Sequence, residues 1–98
     1  HVRDLAEAHV LALHHLKGLT GALMLNLGSG SGNSVLEIIQ TCQQVTGREI
    51  PYLVAPRRTG DPAVLVADNS LAGELLGWQP QRNLMMIIED AWRWHQKR

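Results

Sequence analysis

Residues 22–27, Ala-Leu-Met-Leu-Asn-Leu, form a short apolar run that breaks off into glycines at alternate positions, Gly28, Gly30 and Gly32. Directly after them comes the start of an amphipathic helix. An apolar run this short, bounded by turn residues, reads as a buried strand, because helices need about ten residues or more. Ser34-Val35-Leu36-Glu37 has the form of a capping box. In that motif the serine hydroxyl accepts from the glutamate backbone N–H and the carboxylate reaches back to the serine N–H. Val35, Ile38, Ile39, Cys42 and Val45 then supply a buried stripe, which Gly47 ends. A strand, a glycine loop and a helix in succession confine the chain to the α/β class. A few short strands cannot stand alone and need covering helices or a neighbouring domain.

The remaining segments fit that class. Residues 3–16 read as a helix, with Leu5, Ala8, Ala12 and Leu16 on one face, Val10 and Leu13 beside them, Asp4 near its start and Gly18 as its stop. Residues 50–54 read as a second strand and 64–66 as a brief third. Asp68, Asn69 or Ser70 can cap a short helix through Leu71, Leu75 and Leu76, closed by Gly77. Asn83 can cap a last helix whose face runs through Leu84, Ile87, Ile88, Ala91 and His95. The predicted order is α-β-α-β-(β)-α-α, short strands covered by helices, with no internal domain boundary.

Nine basic and nine acidic residues give zero formal charge. This argues against a nucleic-acid or acidic-membrane partner, since both require a basic excess. No apolar run approaches the roughly 18 residues of a membrane span. The single cysteine, Cys42, rules out an internal disulfide and fits a reducing cytoplasm. The first residue is His1 rather than Met, so an excised segment of a longer protein is expected.

Few groups are candidates for chemistry. The loop 28–32 resembles a dinucleotide-binding turn, but that fingerprint is G-x-G-x-x-G and position 33 is Asn33. A tight strand-to-helix connection is the simpler reading, so no cofactor-binding residue is assigned there. Arg57-Arg58-Thr59-Gly60-Asp61 is the better candidate. A guanidinium matches phosphate oxygens bidentately, Gly60 allows a sharp turn, and Asp61 can accept from ribose hydroxyls. Taken alone, two arginines in a loop are more often a solvated surface. The histidines 1, 9, 14, 15 and 95 include no pair spaced for one helical face, so no metal site is assigned. Cys42 reads as a small core residue, Trp78, Trp92 and Trp94 as packing residues, and Ser29, Ser31 and Ser34 lack a general base, so no catalytic residue is assigned.

Taken together, His1-Val2-Arg3-Asp4-Leu5-Ala6, Asn26-Leu27-Gly28, Ser34-Val35-Leu36-Glu37, Ala55-Pro56-Arg57-Arg58-Thr59-Gly60-Asp61, Leu76-Gly77-Trp78 and Ala91-Trp92-Arg93-Trp94-His95 resemble, in order and spacing, the C-terminal portion of UDP-glucose 4-epimerases. These are members of the extended short-chain dehydrogenase/reductase family. The resemblance covers essentially all of residues 1–98 and implies a small C-terminal substrate-binding subdomain of a Rossmann-type enzyme. It implies that the NAD-binding N-terminal Rossmann domain, with its catalytic Tyr-x-x-x-Lys pair, lies outside this chain. It further implies UDP-sugar as substrate, interconversion of UDP-glucose and UDP-galactose through a 4-keto intermediate, and NAD as cofactor of the intact enzyme. By resemblance Arg58 meets the diphosphate and Asp61 lies near the ribose.

Departures are visible. Tyr52 is the only tyrosine and Pro56 stands four residues on, so the catalytic pair is absent; Leu65 stands where many epimerases carry an aromatic residue; and Met85 and Met86 replace acidic residues usual at the last helix start. This chain alone is therefore expected to be inactive and to bind no NAD. Its exposed apolar surface is expected to favour self-association. Two other readings stay open: a related nucleotide-sugar decarboxylase or dehydratase, and a standalone non-catalytic binding or assembly module. The resemblance also leaves a homodimer open for the intact enzyme.

Overall fold

The computed structural model describes residues 1–98 and contains four α-helices and one 3₁₀ turn: α1 (Val2–His15), the turn Leu16–Gly18, α2 (Val35–Thr46), α3 (Ser70–Leu76) and α4 (Leu84–Lys97). These form two units, each assembled from two stretches of chain. The first comprises His1–Ser31 and Val66–Asn83, the second Gly32–Leu65 and Leu84–Arg98.

The helices follow the expected signals closely, whereas the strands do not form. Segments 22–27, 50–54 and 64–66 have no ladder partner in this chain, so the expected α-β-α-β-(β)-α-α order is corrected to a helical one. The reason is physical. A helix satisfies its own backbone groups, but a strand exists only where a neighbour supplies the opposite N–H and C=O groups. Leu53, 96% exposed, and Met24, Val54 and Leu65 show the strand-like apolar side chains without cover.

In the first unit α1 packs on α3. Ala8, Ala72 and Trp78 are its buried apolar residues, with Leu11, Leu27 and Leu76 packed against them. The buried face of α1 runs through Asp4, Ala8, Leu11, Ala12 and His15, not through Leu5 and Leu16 as expected. Leu5, Val10, Leu13 and Leu16 are exposed. The stripe thus begins at a charged residue. Asp4 is only 2% exposed. Its carboxylate accepts from the Arg82 backbone N–H at 3.2 Å and from the Arg82 guanidinium, while its backbone carbonyl accepts from the Trp78 indole N–H at 2.8 Å. Glu7 adds a second carboxylate to Arg82 at 3.3 Å. The helix N-cap falls to His1, whose Nδ1 accepts from the Arg3 N–H at 3.1 Å.

In the second unit α2 packs on α4. The capping box forms as expected: Ser34 Oγ accepts from the Glu37 N–H at 3.1 Å and the Glu37 carboxylate accepts from the Ser34 N–H. Ile39, Cys42 and Val45 are half-buried, as are Leu84, Ile87 and Ile88; Val35 and Ile38 are exposed, as are Ala91 and His95 of the expected last-helix face. The Arg48 guanidinium lies 5.2 Å above the Trp92 ring, and His95 stacks on Trp92 with centroids 5.7 Å apart. Trp94, expected to pack, is exposed instead.

Candidate functional site

The glycine loop has a structural explanation in the first unit. A Cβ on Gly28 would lie 2.7 Å from the Ala67 Cβ, closer than real Cβ contacts come, and one on Gly30 would lie 3.3 Å from Asn69 Nδ2. Asn69 donates that nitrogen to the Gly28 carbonyl at 2.8 Å. The glycines thus allow the loop to press on segment 66–69. Asn69 occupies the N-cap position of α3 but spends its side chain on this tie. Asp68 instead accepts from the Ser70 N–H at 3.0 Å and from the Ser70 hydroxyl. Those bonds hold its carboxyl below the usual carboxylate range. In the second unit, the Glu37 carboxylate is taken up in the capping box at the start of α2.

A consequence is measurable. Gly28→Ala should lower the unfolding free energy by about 1–3 kcal/mol, the usual effect of one methyl forced into occupied space. Gly18→Ala, where an added Cβ meets nothing within 4 Å, should be close to neutral. Urea unfolding of the two variants compares them directly.

The first unit also holds an apolar hollow lined by Ala8, Ala12, Leu23, Leu25, Leu27 and Leu76 with His9 beside it. His9 Nδ1 lies 2.6 Å from the Leu5 carbonyl oxygen. Such a lining offers no set of convergent polar groups for a nucleotide.

The loop 55–62 carries the polar residues expected to bind. The Asp61 N–H donates to the Arg58 carbonyl at 3.3 Å, which closes a turn. Gly60, the third of its four residues, has φ +88°. That positive angle is one a type II turn demands, and it selects glycine. The turn brings Arg58 and Asp61 together: Arg58 Nε donates to Asp61 Oδ2 at 2.9 Å. Both are open to solvent, with the Arg58 side chain 86% exposed. Arg57 is exposed and makes no such pair. The two arginines are thereby distinguished, since only Arg58 is held in a defined direction. Sequence reasoning found both residues of this pair but not their bond to each other, which the opposite charges flanking Gly60 at i and i+3 would have signalled.

No family model matches the chain. A UDP-glucose 4-epimerase of Streptomyces lividans is 53% identical over 95 residues, 97% of this chain and 29% of that protein. A crystal structure of UDP-glucose 4-epimerase from Bifidobacterium longum in complex with NAD+ and UDP superposes with a TM-score of 0.87 at 38% identity, covering 99% of this chain and 29% of that one. The structure of the UDP-Glc/GlcNAc 4-epimerase from Campylobacter jejuni gives a TM-score of 0.85 at 38% identity, covering 100% of this chain and 30% of that one. The chain thus spans under a third of the length of the proteins it matches. Identity near one half to one curated relative, and a closely superposing backbone in a solved one, each over almost every residue, make this chain similar to one segment of UDP-glucose 4-epimerases.

Proposed function

We propose that this chain is the C-terminal, nucleotide-sugar-binding part of a UDP-glucose 4-epimerase of the extended short-chain dehydrogenase/reductase type. The intact enzyme interconverts UDP-glucose and UDP-galactose in the cytoplasm, a compartment the single Cys42 suits. NAD is held by the remainder of the protein, where it takes up and returns the hydride at C4 of the sugar. This segment's own residues grip the nucleotide. Arg58 meets the diphosphate, and Asp61 lies by the ribose. The observation that supports the reading is the turn 58–61, which sets one guanidinium and one carboxylate side by side at an exposed, glycine-dependent corner. The exposed apolar side chains of segments 22–27 and 50–54 are the surface that the rest of the enzyme covers. No helix is long and apolar enough to cross a membrane.

Steady-state kinetics on the full-length enzyme tests this. Removing a charged hydrogen-bond partner from a site that ligand desolvates should raise KM for the UDP-sugar roughly 30- to 1000-fold in Arg58→Ala. Arg57→Ala should change it by less than about fivefold, the scale of an exposed charge. Arg58→Lys should recover only part of the loss, since an ammonium has no bidentate fork. Small, equal effects at both arginines would make this loop an ordinary solvated turn.

A further inference from the structure

The bond between Arg58 and Asp61 gives the acid a role on the phosphate side of the ligand. We propose that Asp61 is a positioning residue for Arg58, holding the guanidinium so that its two terminal nitrogens face a diphosphate as a pair. This rests on the reading of Arg58 as the diphosphate contact. A guanidinium has five N–H donors in a planar fork. Nε is engaged by Asp61 Oδ2 at 2.9 Å, and neither terminal nitrogen is engaged. The backbone is set by the same residues, through the Asp61 N–H to Arg58 carbonyl bond and the φ of Gly60. An unrestrained arginine at the surface samples many rotamers and loses that freedom on meeting phosphate. Asp61 removes part of the loss before ligand arrives.

The same carboxylate also opposes an anion by its charge. Here the pair is open to water, with 86% and 49% of the two side chains exposed, so that repulsion is screened. Orientation is left as the larger effect. The two contributions separate chemically, because Asn keeps an oxygen acceptor at the same place and carries no charge.

The test uses the full-length enzyme and inorganic pyrophosphate, which has no ribose, as competitive inhibitor against the UDP-sugar. Asp61→Ala should raise Ki for pyrophosphate about threefold, the scale of one exposed ion pair. Asp61→Asn should restore Ki to near that of the unaltered enzyme. In an Arg58→Ala background, Asp61→Ala should have no further effect. If Arg58→Ala raises Ki but Asp61→Ala leaves it unchanged or lowers it, the positioning role is wrong and the diphosphate site stands. If Arg58→Ala leaves pyrophosphate inhibition unchanged, the diphosphate reading falls and this proposal with it.

Discussion

Asp4→Ala is expected to destabilise the first unit by about 2–4 kcal/mol. A carboxylate that is 2% exposed is held there by the Arg82 guanidinium and the Arg82 N–H. Taking away one partner of a buried pair strands the other in partly dehydrated surroundings, which costs more than the pair itself contributes. Asp4→Asn keeps one acceptor and should fall between the two. The pH dependence has a definite sign. Burial pushes the Asp4 carboxyl up, but the Arg82 side chain and the backbone N–H groups of Gln81 and Arg82 outweigh it and hold the carboxyl below its ordinary value. A carboxyl with a lower value folded than unfolded contributes fully above the unfolded value and loses its contribution as pH falls through the folded one. The stability gap between the unaltered protein and Asp4→Asn should therefore be flat from about pH 5 to 8 and close below about pH 4. Urea unfolding at a series of pH values reads it out, and a gap that widens in acid would overturn the assignment.

Trp78→Ala should have an effect at least as large, about 3–5 kcal/mol, the range for deleting a buried aromatic ring. Trp78 is the largest of the buried apolar residues of the first unit, together with Ala8 and Ala72. Its fully buried neighbours are both alanines, too small to fill the space, and Leu11, Leu27 and Leu76 at the edge would close it only in part. Trp78→Phe separates the two roles of the side chain. It keeps most of the apolar body and loses the 2.8 Å bond from the indole N–H to the Asp4 carbonyl. The expected cost is about 1–2 kcal/mol, that of one hydrogen bond and some packing. Trp94→Ala, on the exposed face of α4, should change stability by less than about 0.5 kcal/mol. Thermal and urea unfolding of the three variants would rank them, and equal losses at Trp78 and Trp94 would contradict the burial pattern.

Local signals were legible in the sequence wherever the physics is local. The capping box at Ser34 and Glu37, the glycines that close α2 and α3, and the turn at Arg58 and Asp61 each depend on residues three or four apart. The three strand-like segments were misread because their side-chain pattern is local and their stability is not: the pattern says what a sheet would bury, and no sheet partner is within reach in this chain. Asp4 was read as a helix-end charge for the same reason. Its true partner is 78 positions away, and nothing near Asp4 in sequence points to Arg82. Trp78 and Trp94 both read as packing residues, yet one is core and the other is surface. The candidate site was legible as two residues in a loop, and the bond that joins them could have been inferred from their opposite charges at i and i+3 around Gly60.

The discontinuous make-up of the first unit bears on how the protein emerges from the ribosome. Its first stretch ends at Ser31 and its second begins at Val66, with the Trp78 to Asp4 bond spanning 74 positions. The entropy of closing so long a loop grows only with the logarithm of its length, so the equilibrium penalty is modest. The time penalty is larger, since non-local contacts form late. A nascent chain that has exposed α1 and α2 has neither Trp78 nor Arg82 yet to meet Ala8 and Asp4, so the first unit cannot close as it is made. Translation interrupted before Trp78 would release a chain with an uncovered helix face and an unpaired Asp4, the kind of species that associates with its neighbours.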